Sequence, residues 1–242
     1  MMKTFFITGI SRGLGLELTR HFLEKGHRVI GLSRTKSEAL GQLIDSYPET
    51  LVWHSFDLET LCQDEDALKQ VVDLEKVSID VFIDNAAILY KDLIHRIRGK
   101  ELSRMFCINT VIPIILTRMI INNFLRFKKA GAIVHMSSIC AHRAFNGLSM
   151  MGATKAAIEA FSRDTAFEYG RFGIRSNTVV AGLLEIGMKS TVNNRLTDDL
   201  KSMTAMRKLV DTQSIVSIID YLVSDDSHCI TGENIHINAG IV

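Results

Sequence analysis

Short apolar runs alternate with stretches of helical period along this chain, and the alternation begins at once. Lys3-Thr4-Phe5-Phe6-Ile7 is apolar, aromatic and β-branched, as a buried strand should be, and it leads straight into Thr8-Gly9-Ile10-Ser11-Arg12-Gly13-Leu14-Gly15. Leu14, Leu18, Phe22 and Leu23 then fall on one stripe at helical spacing, and Gly26 supplies the stop. The same pattern predicts strands over residues 27–33, 51–56, 79–83, 132–137, 174–180 and 235–238, with helical segments between them. Strands that alternate with helices imply a parallel sheet covered on both faces.

Such a sheet binds its ligand beyond the carboxyl ends of the strands, where the winding reverses, so the residues just past each strand carry the most information. The glycine turn comes after the first, Ser33-Arg34 after the second, Asp57-Leu58 after the third, Asn85-Ala86-Ala87 after the fourth, Ser137-Ser138 after the fifth and Ala181-Gly182 after the sixth. These are expected to converge on one site. Glycines in a strand-to-helix turn let the backbone approach a pyrophosphate while the helix N-terminus offers unpaired N–H groups to the anion. The predicted fold class is therefore α/β: one Rossmann-type doubly wound parallel sheet with helices on both faces, a single dinucleotide-binding domain over residues 1–242.

Composition narrows the partner. With 242 residues and 47% hydrophobic content the chain can bury a full core, and a net charge of +1 without a basic cluster argues against nucleic acid and a membrane surface. A small molecule is the expected ligand. The most apolar stretch, residues 111–121, is too short to span a bilayer and contains Arg118, and the expected location is the cytoplasm. Cys62, Cys107, Cys140 and Cys229 lie far apart with no Cys-x-x-Cys pair, so free buried thiols are expected rather than disulfides; no metal site is expected, the eight histidines showing no ligand spacing.

On these residues the whole chain resembles the short-chain dehydrogenase/reductase family, and within it the bacterial 3-oxoacyl-carrier-protein reductases. Thr8-Gly9-x-x-x-Gly13-x-Gly15 is similar to the cofactor motif, Asn85-Ala86-Ala87 to the Asn-Ala-Gly motif, and Ile230-Thr231-Gly232 with Asn238-Ala239-Gly240 to the C-terminal signature. The resemblance implies cofactor contacts from Gly9, Ser11, Arg12, Gly13, Leu14, Gly15, Ser33, Arg34, Asp57, Leu58, Asn85, Ala86 and Lys155. It implies a catalytic set at Asn109, Ser138, Met151 and Lys155, where the family has Asn, Ser, Tyr and Lys. It also implies a dimer or tetramer, with Ile114, Ile115, Phe161 and Phe167 as contributors that core packing explains equally well, and a substrate lid around residues 185–208.

Met151 is the departure that decides how much chemistry to expect. Hydride transfer to a carbonyl leaves negative charge on oxygen, which needs a hydrogen-bond donor and then a proton. A phenol beside an ammonium supplies both; a thioether has no proton to give. Enoyl reductases of the same fold carry a methionine here and a tyrosine three residues earlier, but this chain has Leu148 there. Tyr90 and His142 are the substitute donors to consider. Pro113, lacking an N–H, frees the carbonyl of Asn109, as the family's proton relay would use, or else kinks the helix for packing. Lys155 is expected off the centre of a buried stripe formed by Ala153, Ala156, Ala157, Ala160 and Phe161.

Cofactor choice is read at the end of the second strand, where an NAD enzyme usually presents a carboxylate about twenty residues after the glycines. Ser33-Arg34-Thr35-Lys36 stands there instead, with Arg12 in the turn itself, so NADP(H) is expected over NAD(H). The resemblance implies that Asp57 accepts from the adenine amino group; an aspartate before Leu58-Glu59 equally suits a helix N-cap. Ala181-Gly182-Leu183-Leu184 lacks the family's proline and threonine, which leaves nicotinamide positioning open, and Ala87 replaces a glycine near the cofactor. Three functions are compatible with these residues: an NADP(H)-dependent oxidoreductase with an altered proton donor on a carbonyl or hydroxyl substrate, acyl or otherwise apolar; a nucleotide-binding protein without turnover; and a non-redox dehydratase or isomerase using Ser138 and Lys155.

Overall fold

A computed structural model describes residues 1–184 and 194–241. Its seven strands are β1 (Thr4–Thr8), β2 (Arg28–Ser33), β3 (Leu51–Ser55), β4 (Val81–Asp84), β5 (Gly131–Ser138), β6 (Ile174–Ala181) and β7 (Asn234–Ile237). They form one sheet in the order β3-β2-β1-β4-β5-β6-β7, with every neighbouring pair parallel. The winding reverses between β1 and β4, which opens a crevice at their carboxyl ends.

The helices are α1 (Gly13–Glu24), α2 (Glu38–Ser46), α3 (Gly99–Phe106), α4 (Ile112–Arg126), α5 (Ser149–Tyr169), α6 (Asn194–Ser202) and α7 (Thr212–Leu222). Because side chains alternate across a strand, β1 sends Phe5 and Ile7 into one core and Phe6 into another. The first core takes Leu18 and Phe22 from α1 and Ile215 and Ile219 from α7; the second takes Leu116, Ile120 and Phe124 from α4. Phe5 stacks on Phe22 with ring centroids 3.9 Å apart. Each such side chain, once buried, contributes about 1.5–3 kcal/mol.

All seven predicted strands are present, with ends displaced by a residue or two for local reasons. His27 is outside β2 because its N–H closes the end of α1 on Phe22 O at 2.9 Å, and Phe56 lies past the last paired residue of β3. Ile79 precedes β4 because its N–H goes to Asn123 Oδ1 at 3.0 Å; the same buried amide donates to Leu74 O and Val77 O, fixing the crossover into the strand.

Two expectations are corrected. Cys62 and Cys107 are joined in a disulfide, their Cα atoms 6.5 Å apart, while Cys140 and Cys229 are free and Cys229 is exposed rather than buried. The pairing comes from the packing of a 3₁₀ turn (Leu58–Cys62) on the α3–α4 segment, which no local spacing announces. On α5 the inward face is Met150, Thr154, Lys155, Ile158, Glu159 and Ser162, whereas Ala153 and Ala156 are exposed. The polar groups go inward because the sheet answers them: Ser162 Oγ lies 2.8 Å from Ser176 Oγ, and Glu159 takes the hydroxyl of Ser137.

The continuous run Gly99–Arg126 is apolar and long enough to pass as a membrane span, yet 61% of its most apolar window is buried inside the fold. Of the residues expected at an oligomer contact, Phe167 is 91% exposed and Ile115 is buried. The expected lid lies partly outside the described residues; α6 belongs to its described part.

Candidate functional site

The crevice at the strand-order reversal is a cavity of about 560 Å³, within the range of small-molecule sites. Gly9, Ser11, Arg12, Gly13, Leu14 and Gly15 line it from the first turn, Leu32, Ser33 and Arg34 from the end of β2, Phe56, Asp57 and Leu58 from beyond β3, and Asn85, Ala86, Ala87 and Ile88 from beyond β4. Every expected cofactor residue except Lys155 therefore borders one space. Leu32, Phe56, Ile88 and Ile108 join them without having been expected; the first two sit at strand ends already marked by their neighbours, whereas Ile108 arrives from a distant helix.

The turn is built for close approach. A Cβ on Gly15 would collide with the carbonyl of Gly9, and Gly9 itself has φ +76°. The Thr8 hydroxyl accepts from the N–H groups of Asn85 and Ala86, both at 3.0 Å, and the Asn85 amide donates back to Thr8 O, so β1 and β4 are pinned where the cavity begins. Ser37 caps α2 and Asp211 caps α7, but no side chain caps α1. Its first N–H groups thus face the cavity from Gly13 to Gly15 without a side-chain acceptor, as an anion site requires. Arg12 and Arg34 line the same space, and neither forms an ion pair with a described carboxylate. Asp57 does cap the following 3₁₀ turn, accepting from Glu59 N at 3.1 Å, while also lining the cavity.

None of the expected catalytic residues lines this space; Asn109 and Met151 come together beside it, through Ile88. Asn109 lies in a π turn (Cys107–Val111) that joins α3 to α4, just ahead of Ile112-Pro113 at the start of α4. A widened turn accommodates a proline whose missing N–H cannot reach back. The Asn109 side chain brackets Ile88, accepting from its N–H and donating to its carbonyl, each at 2.9 Å, and lies 3.8 Å from the Met151 sulfur. Ser138 ends β5 and its hydroxyl accepts from Cys140 N at 3.2 Å, a turn-capping role. Ala181-Gly182 lies outside the cavity wall, with Gly182 tight against Asn238.

Lys155 is buried, 3% exposed, and its ammonium makes no hydrogen bond with a described residue. Burial pushes its pKa down, and the carboxylate of Asp84 acts against that. Asp84 is itself buried, 3.2 Å from His135 Nδ1 and 3.5 Å from the Thr8 hydroxyl. Neither substitute proton donor lines the cavity. Tyr90 donates to Asp92 at 3.0 Å, and His142 Nε2 lies 2.8 Å from Glu159 with His236 against its ring. Among the described residues no group of three His, Cys, Asp or Glu side chains is placed to hold a metal.

A reversed parallel sheet, a glycine turn on an uncapped helix and two guanidiniums with no described carboxylate partner together define a dinucleotide-type cleft. A family model described as enoyl-(acyl carrier protein) reductase matches residues 9–242. The chain belongs to the short-chain dehydrogenase/reductase family. It is 27% identical to the 3-oxoacyl-[acyl-carrier-protein] reductase FabG of Vibrio harveyi over 99% of this chain and 97% of that one. Among solved structures it is similar to 4-hydroxyisoleucine dehydrogenase complexed with NADH, with a TM-score of 0.91 at 28% identity over 99% and 98% of the two chains. ElxO with NADP bound gives 0.90 at 25% identity, over 100% and 99%.

Proposed function

We propose that this chain is an NADP(H)-dependent oxidoreductase of a carbonyl or hydroxyl substrate, of 3-oxoacyl or similarly apolar type, with a proton donor other than tyrosine. One observation carries the nucleotide choice: Arg12 and Arg34 both border the cavity without a described carboxylate partner, and no carboxylate stands at the end of β2. A guanidinium meets a ribose phosphate with two parallel hydrogen bonds, where a ribose hydroxyl would call for a carboxylate. Relatives solved with NADH and with NADP support a nicotinamide nucleotide of either kind; the two arginines favour the phosphorylated one.

The residues present fit that group. Gly9, Gly13 and Gly15 leave the backbone bare for the pyrophosphate, and Ser11, Ser33, Leu58 and Asn85 are assigned to the nucleoside. Lys155, buried and outside the cavity lining, is assigned to the ribose hydroxyls on the family resemblance. When bound, the nicotinamide supplies or accepts a hydride. Ser138 is assigned to donate a hydrogen bond to the substrate oxygen, and Asn109 to hold the relay through its freed carbonyl. The setting assigned is cytoplasmic, as a homo-oligomer that covers Phe167, with residues 185–208 as the lid.

Titration with NADPH and NADH, followed by nicotinamide fluorescence and calorimetry, tests this first. NADPH is expected to bind at least about tenfold more tightly; equal affinities would sink the assignment of Arg12 and Arg34. A second reading, nucleotide binding without turnover, is favoured by the thioether of Met151 beside Asn109 and by the engagement of Tyr90 and His142 elsewhere. Tight NADPH binding with no product from a panel of 3-oxoacyl thioesters and simple ketones would select it.

A further inference from the structure

The Cys62–Cys107 disulfide ties together two segments that supply the cavity wall. Asp57 and Leu58 border the cavity and lead into the turn that ends at Cys62; Cys107 opens the π turn whose next residue, Ile108, also borders it and whose Asn109 holds Ile88. Two ion pairs run alongside, Arg104 on Glu59 and Arg118 on Glu65. All four of those side chains are more than a third exposed, and exposed pairs contribute little and weaken with salt. Leu61 also shares a buried core with Ile108 and Ile112, and the disulfide is the covalent bond that fixes these segments beyond that packing. Cys62 is an exposed residue and Cys107 half-buried, so exchange with a small thiol is expected on the Cys62 side.

We propose that Cys62 and Cys107 form a redox modification site that sets nucleotide affinity, closed by a low-molecular-weight disulfide and opened by a dithiol or phosphine. The inference rests on the nucleotide reading of the cavity. In closing, the Cys62 thiolate attacks one sulfur of the oxidant and releases one thiol; the Cys107 thiolate then attacks the Cys62 sulfur of the mixed disulfide and releases the second. The protein loses two electrons and two protons, and the oxidant leaves as two thiols. Closed, residues 57–62 are held against residues 107–109 before the nucleotide arrives. Open, that ordering must occur on binding and lowers affinity.

The test uses the full-length protein treated with oxidised glutathione or with tris(carboxyethyl)phosphine, the state of each cysteine being read by alkylation and mass spectrometry. The oxidised form is expected to bind NADPH about tenfold more tightly than the reduced form. A Cys62→Ser variant should match the reduced protein and ignore the oxidant, while Cys229→Ser should keep the full response. Alkylation of both Cys62 and Cys107 after oxidation would overturn the proposal, as would affinities within twofold for two forms of proven redox state. If the bond forms and neither state binds either nucleotide, the nucleotide reading fails and this inference falls with it.

Discussion

The two halves of the cleft are made of different material. The nucleotide half is mostly backbone: bare glycines, the amides of an uncapped helix, and a turn pinned by Thr8 to Asn85 and Ala86. The half assigned to chemistry is four side chains: Asn109 held by Ile88, Ser138 by Cys140 N, Met151 beside Asn109, and Lys155 buried without a hydrogen bond to a described residue. Backbone sites persist as long as the fold does, because no single side chain carries them. Side-chain sites can lose a function at one position while the geometry around it stands, and Met151, 3.8 Å from Asn109, is the position at which the proposed function makes that testable.

Replacing that one side chain separates the halves most sharply. Met151→Tyr is expected to raise kcat for a carbonyl substrate by about 10²- to 10⁴-fold, the usual contribution of a positioned acid, with NADPH affinity unchanged within twofold. Steady-state rates beside a fluorescence titration check both arms. A variant that binds NADPH as before and gains no rate would mean that the chemical half lacks more than its acid, and would direct attention to Leu183 and Leu184, where the family positions the nicotinamide.

Smaller effects belong to the nucleotide half. Arg12→Ala and Arg34→Ala should each weaken NADPH binding about tenfold, the worth of one charge-assisted contact, and leave NADH within twofold. Equal losses for both nucleotides would place the arginines on the pyrophosphate or outside the site.

Legibility from the chain alone divides along the same line. The strands and the glycine turn rest on local pattern: short continuous apolar runs, a stop at Gly26, and a strand-turn-helix order contained in the first 26 residues. The face of α5 was not legible, because a stripe of alanines looks like core until the sheet is seen to present Ser137 and Ser176 as partners for Glu159 and Ser162. The disulfide was not legible either, since its cysteines are 45 residues apart and meet only through the packing of a turn on a helix. Asp84, placed by strand pairing against His135 and acting on Lys155 across the fold, belongs with them.

The smallest effect expected concerns Lys155 and tests whether the halves share a charge. Burial lowers its pKa below the ordinary 10.5, and Asp84 offsets only part of that. In the unfolded chain the amine keeps its proton up to its ordinary value, while in the folded chain it releases it earlier. Across the interval the unfolded state binds more protons, so the stability of the wild type should rise with pH there, and the penalty of the buried charge should be largest below the native pKa. Lys155→Met removes both the charge and the slope. Chemical unfolding midpoints measured from about pH 7 to 10 should therefore show the difference between variant and wild type shrinking as pH rises. Under the proposed assignment an anionic nucleotide beside Lys155 favours the protonated form, so NADPH binding in the same interval should take up a proton, seen as a dependence of the calorimetric enthalpy on buffer ionisation. Binding without proton uptake, together with a pH-independent stability difference, would separate Lys155 from the nucleotide and leave it as a packing residue of α5.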